Sequence, residues 1–362
     1  VRRTPAPPRT RSGEHRHARA NDDGPEHSAQ VRDDDGLPGA KARTEDMAPV
    51  PAQHVTDFAR RYSATGPYDV LGKARALLNQ AENLRDHTQV PIQQQALLIV
   101  AGQASALLAT AAFDLGQLPG AARLFRTTAL YGETARFEPL QAFADGGLAY
   151  IAYRSGRPGE AVRLVGRALA FGGLGDVARR RLLAIEARAQ GHLGDRESAR
   201  SAIRASQEPG QGVADDLHDQ VGGEFGFSPE RLVMSCASTS LLVGDGRAAE
   251  EFAAHALQLV SERPVEQRSA PVMGKAAADL ARARLLRDDV EGASAALEAV
   301  WSVAAEQRVS GLLERTTAVR RILVQSPYRS SQPALELGER IEDFTRGALP
   351  RLGSGVAAAL ES

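Results

Sequence analysis

The sequence predicts an all-α fold, a solenoid of about five helical hairpins with flanking helices behind a disordered N-terminal tail. Aromatic residues make up only 5% of the 362-residue chain, while alanine and leucine recur throughout. That composition suits closely packed helices better than sheets built from β-branched and aromatic side chains. Apolar residues keep helical spacing from about residue 68. One local phrase then occurs five times: a helix closing in Leu-Gly or its equivalent, a short polar turn, and an alanine opening a second helix.

Residues 1–52 form the expected tail. They mix Arg, Pro, Asp and Gly, with basic residues at Arg2, Arg3, Arg9, Arg11, Arg16 and Arg19 and an acidic run at Asp33, Asp34 and Asp35. Such a segment cannot bury enough apolar surface to offset the entropy of ordering. Its basic end could touch nucleic acid or an acidic partner, but a solvated tail is the simpler reading. The chain opens on Val1 rather than methionine, so it reads an alternative start codon or lacks something upstream, and Met47 is a further candidate start. The repeat domain is expected over 53–350, followed by a flexible C-terminus over 351–362.

The first helix is expected over Asp69 to Asp86, where Leu71, Ala74, Leu77, Leu78, Ala81 and Leu84 share a face. Ala96 to Phe113 is uncharged and long enough to span a bilayer, yet it is dominated by alanine and contains Gln103, Ser105 and Thr110, so a buried helix is the expectation. The five phrases follow, built around Gly116 and Ala121, Gly156 and Ala161, Gly194 and Ala199, Gly244 and Ala249, and Asp288-Asp289 and Ala293. Only the last lacks the turn glycine. A left-handed glycine closes the first helix, a polar residue caps the second, and alanine lets the two approach. Ala109, Ala149, Ala187, Ala237 and Ala281 each stand twelve residues before the partner alanine.

Small residues at two packing positions with glycine between them resemble the tetratricopeptide repeat, over roughly residues 95 to 310. The intervals between the five alanines are 40, 38, 50 and 44 residues, longer than the family's period of about 34. The aromatic expected early in the first helix is also absent. Three stretches look more specifically like the repeat region of actinobacterial tetratricopeptide regulators: ADDLHDQVGGEFGFSPERLVMSCASTSLLVGDGRAAEEFAAHAL from Ala214, ATAAFDLGQLPGAARLFRTTAL from Ala109, and SPYRSSQPALELGERIEDF towards the C-terminus. In that group the array commonly follows a helix-turn-helix DNA-binding domain, and some members act in development and antibiotic production. Residues 1 to 67 offer no three-helix pattern of that size. The resemblance therefore implies a non-enzymatic regulatory interaction protein, or a transcriptional regulator whose DNA-binding domain is missing or truncated from this chain.

The formal net charge of −1 gives no general reason to expect nucleic acid, so DNA is not an expected partner of this chain alone. Cys236 is the only cysteine. It can form no intrachain disulfide and reads as a small buried residue in a reducing, cytoplasmic setting. Asp215, Asp216, His218 and Asp219 invite a metal reading, since on a helix Asp215, His218 and Asp219 would share a face. They fall, however, in the insertion near residues 208 to 227, expected to be a surface connection. Gly222-Gly223-Glu224-Phe225-Gly226 lacks the Lys-Ser ending of a phosphate loop. No catalytic residue, metal or cofactor is expected, and no membrane partner.

Arrays of this kind bind through the concave face built from the first helices of successive pairs. Alignment on the glycine and alanine anchors projects Gln103, Tyr150, Tyr153, Arg154, Arg181, Arg188, Arg231, Lys275 and Arg282 into that groove. Guanidinium forks grip carboxylates and tyrosines add rigid amphipathic area, so a protein or peptide partner, extended and acidic, is one reading. The other is that these side chains are solvated or paired to acids on neighbouring helices.

Overall fold

The computed structural model describes residues 49–325 and 328–348. Every regular element among them is helical. Helix α1 (Pro49–Arg61) and helix α2 (Pro67–His87) precede the array. Five hairpins follow: α3 (Pro91–Asp114) with α4 (Leu118–Thr134), α5 (Glu138–Arg154) with α6 (Pro158–Leu169), α7 (Asp176–Leu193) with α8 (Arg196–Gln207), α9 (Pro229–Leu242) with α10 (Gly246–Glu262), and α11 (Ala270–Leu285) with α12 (Val290–Trp301). Helices α13 (Ser310–Leu323) and α14 (Gln332–Arg346) pack together as a sixth.

The repeated phrase does what its chemistry requires. Gly116, Gly156, Gly194 and Gly244 hold φ between 74° and 80°, and in the fifth turn Asp288 takes the same left-handed region at φ 62°. Asp288 is held there by the Tyr328 hydroxyl, which donates to its carboxylate at 2.7 Å. The side chains of Asp195, Asp245 and Asp289 accept from the backbone N–H three residues on, capping α8, α10 and α12. In α4 and α6 a proline in the first turn replaces the cap. All ten paired alanines are at most 1% exposed, so each hairpin closes with little side-chain volume between its helices.

Two expected boundaries shift. Helix α1 begins at Pro49, inside the stretch expected to be tail, because Pro49 and Pro51 lie in a first turn whose N–H groups have no helical partner. The array also has two helices before it and two after, one more at each end than the sequence pattern led us to expect. The rest of the tail expected to be disordered, residues 1–48, and the flexible terminus expected over 351–362 lie outside the described residues.

Successive inner helices α3, α5, α7, α9, α11 and α13 stack side by side, and the sixth returns to the first. At this seam the Ser310 hydroxyl donates to the Phe113 carbonyl at 3.1 Å, across 197 residues of sequence. Arg154 donates to Ser310 at 3.4 Å and pairs with Glu314, and Gln307 donates to the Ala64 carbonyl at 3.5 Å. The array is therefore a ring of hairpins, and its concave face becomes a lumen. Among the described residues α3 is the one helix long and apolar enough to cross a membrane. Residues 100–109 of it are all buried, enclosed by α2, α4 and the neighbouring inner helix.

Candidate functional site

The lumen is a cavity of about 1340 Å³ with walls from every inner helix. Eight of the nine side chains projected from the sequence line it: Tyr150, Tyr153 and Arg154 on α5, Arg181 and Arg188 on α7, Arg231 on α9, and Lys275 and Arg282 on α11. The seven-residue spacings of Arg181 to Arg188 and Lys275 to Arg282 put each pair on one helix face, two turns apart. Gln103 is the exception. It is 5% exposed and lies outside the lumen lining, where α3 contributes Thr110, Phe113 and Asp114 instead. Ten residues of helix carry Gln103 about 15 Å along the axis from Phe113.

The side chains fall into two groups. Four lumen arginines are matched by carboxylates, among them Arg263, which donates to Glu230 at 3.1 Å. Arg231 donates to both oxygens of Glu224, at 2.9 and 3.3 Å, and to the Gly226 carbonyl at 3.3 Å. Arg154 pairs with Glu314 and lies 4.6 Å over the Phe113 ring. Arg315 donates to Asp279 at 3.1 Å and to the Ser238 hydroxyl at 3.0 Å. Burial pushes the Glu224 carboxyl up, with Arg231 opposing the shift.

The second group is unmatched: Arg181, Arg188, Lys275 and Arg282 make no ion pair within 4 Å among the described residues. Arg181, 5% exposed, stacks 4.3 Å from the Phe143 ring and reaches only the Phe143 carbonyl, at 3.5 Å. Arg188 donates one Nη to Ser235, at 3.3 Å to both its carbonyl and its hydroxyl, while its buried Nε has no acceptor. The side chains of Lys275 and Arg282 make no hydrogen bond among the described residues. Burial pulls the Lys275 ammonium down to about 8, with Arg315 and Arg231 adding to the shift and Asp114 and Glu224 opposing it. Arg282 is lowered by burial and by Arg315 and Arg321. The lining holds ten Lys and Arg against seven Asp and Glu, whereas the whole chain is balanced at −1.

Aromatic residues complete the wall. Tyr150 lies 5.9 Å from Phe113 and 5.8 Å from Tyr153, which stacks on His192 at 4.9 Å. Burial pushes the Tyr153 hydroxyl up to about 12.

The insertion near residues 208–227 is not the surface connection its composition suggests. Residues 208–214 are exposed, but Leu217 and Phe225 are 0% exposed and pack against the inner helices. Asp215, Asp216, His218 and Asp219 do not present one polar face: Asp215 and His218 are buried while Asp216 and Asp219 are exposed. The Asp215 carboxylate is committed to structure. It accepts from the Gly175, Leu217 and His218 N–H groups and from the His218 ring. Burial pushes its carboxyl up, but these bonds outweigh burial and hold it low. Burial also keeps His218 below its ordinary range. Among the described residues no group of three or more His, Cys, Asp or Glu side chains converges on a common point. Cys236 is buried, its thiol pushed up to about 11 by burial.

Helix α1 docks on this insertion. The Glu224 N–H donates to the Ala59 carbonyl at 2.9 Å, and Arg60 donates to the Gln220 and Val221 carbonyls at 2.8 and 3.1 Å. The Tyr62 hydroxyl donates to Asp114 at 3.0 Å. Sequence reasoning missed Asp114, Glu224, Asp279 and Glu314 as lumen groups. It collected cations, aromatics and one glutamine but no acid, although Asp279 stands four residues after Lys275 on the same helix.

No family model matches this chain, and no curated protein matches it. Among solved structures, the crystal structure of BtubC (BKLC) from P. vanneervenii aligns with 66% of this chain and 90% of its own, at 17% identity and a TM-score of 0.45.

Proposed function

We propose that this protein is a non-enzymatic regulatory interaction protein of the tetratricopeptide-like class, which takes an extended peptide or protein segment into the lumen of its ring. The observation that carries this reading is the convergence of eight basic and tyrosyl side chains, from four inner helices, on one cavity. A space of about 1340 Å³ suits an extended segment or a small ligand rather than a folded domain. The resemblance to actinobacterial regulators supports a role in control of gene expression or development, and the lone buried thiol suits a cytoplasmic setting.

Charge reversal at Arg188 and Arg282 tests the proposal. Arg231 is unsuitable, because a glutamate there would face Glu224 in a part-buried site. Affinity capture from the cells that make the protein, followed by mass spectrometry, should recover a partner with the wild type and lose it with Arg188→Glu/Arg282→Glu. An identical partner profile for a folded double variant refutes the lumen as the binding surface.

A further inference from the structure

Arg154, Arg231 and Arg315 show how this fold neutralises a cation it needs for itself: each meets a carboxylate on a neighbouring element. Arg181, Arg188, Lys275 and Arg282 face the same lumen without one. A charge withdrawn from water and left unmatched destabilises the fold that carries it. Four such groups, Arg181 buried and the other three half-buried, stand on α7 and α11, the two inner helices that flank α9, and are hard to account for as structure alone. They are also brought near other positive charge: Arg231 lies close enough to lower both Arg181 and Lys275, and Arg315 lowers both Lys275 and Arg282. Arg188 keeps a buried Nε with no acceptor among the described residues, although burial, which disfavours its charged form, is outweighed by Tyr153, Tyr150 and Asp279, which favour it.

We infer that Arg181, Arg188, Lys275 and Arg282 form an anchor for the carboxylate groups of an acidic ligand, whose apolar part lies against Tyr150 and Phe113. This deepens the proposed function and rests on its reading of the lumen as the binding surface. The chemistry favours carboxylate over phosphate. Four lumen arginines already meet carboxylates, Arg231 with both oxygens of Glu224. The four cations stand on helix faces rather than beside a glycine-rich turn whose N–H groups would cradle phosphate, and Pro229 and Pro271 remove N–H groups from the first turns of α9 and α11. The Tyr150 hydroxyl makes no hydrogen bond among the described residues and lines the lumen, where a ligand can reach it.

The test uses the full chain with four probes: tri-glutamate, tri-glutamine, citrate and inorganic phosphate, followed by calorimetry and thermal unfolding. The variants are Lys275→Met and Arg282→Met. Tri-glutamate should bind the wild type at least ten-fold more tightly than tri-glutamine, and either variant should lose most of that difference while melting no lower than wild type. At pH 8 binding should take up protons, as the ligand returns Lys275 to its charged form. Cation-dependent binding of citrate without either peptide keeps the anchor and overturns the peptide reading. Equal binding of the two peptides keeps the peptide reading and overturns the anchor. Phosphate matching citrate overturns the carboxylate class, and variants that melt well below wild type overturn the anchor by showing that the cations are structural.

Discussion

Lys275 shows what a single residue in the lumen costs and why it is kept. An ammonium lowered from 10.5 to about 8 destabilises the folded state by about 3 kcal/mol when protonated. Below pH 8 both states hold the proton and the folded protein bears the full cost. Between pH 8 and 10.5 the folded protein sheds a proton that the unfolded chain retains, so this contribution to stability rises with pH. The groups setting the shift come from four elements: Asp114 on α3, Glu224 on the insertion, Arg231 on α9 and Arg315 on α13. Lys275→Met should therefore stabilise the empty protein at pH 7 by roughly 1–3 kcal/mol, with water in the lumen favouring the lower end. The advantage should shrink toward pH 10, and urea unfolding at the two pH values measures it. The basic residues were legible in the sequence because hairpin anchors assign helix faces. Their pairing was not, because Glu224 and Glu314 reach the lumen from an insertion and from a sixth hairpin that lacks the glycine-alanine phrase.

At the scale of the element, capping and turn chemistry was readable and packing of the insertion was not. Gly194 and Asp195 announce a helix end and a helix start by residue type alone, and the backbone follows. The insertion looked like a surface loop because it is rich in Asp and Gly, yet those residues serve a tight fold-back. Asp215 ties its N–H groups together, and Gly223, at φ 60°, lets the chain pass α1 so closely that an added Cβ would lie 2.4 Å from the Ala59 carbonyl. Gly223→Ala should combine left-handed strain with this clash, costing about 1–3 kcal/mol and freeing α1 from the insertion. Hydrogen exchange should then speed up at the amides of residues 57–62 and 220–226 while the hairpin alanines remain protected. Unchanged exchange in α1 would mean that the Glu224 N–H bond to Ala59 does not hold it.

At the scale of the molecule, the hairpin count was nearly legible and the ring was not. Local phrases repeat in sequence, but closure depends on small rotations accumulated over six hairpins and on contacts between residues as distant as Ser310 and Phe113. The seam is polar and part-exposed. Glu314 is 59% exposed, so its pair with Arg154 contributes no more than about 1 kcal/mol, and the remainder comes from Ser310 and the fit of α13 against α3. Arg154→Glu should part the seam, raising the radius of gyration in solution scattering, and the swapped pair Arg154→Glu/Glu314→Arg should restore it. A ring that stays closed in the single variant would show that Ser310 and the packing of α13 on α3 hold the ends together without the Arg154–Glu314 pair.

The seam also governs time. In an open groove a bound segment leaves at a rate set by its own contacts. A segment threaded through a closed ring with bulk at both ends must also wait for Ser310 to leave Phe113 and for Glu314 to leave Arg154. Two ligands of very different affinity can then share one slow dissociation rate, so the protein would remember its last ligand for as long as the ring stays shut.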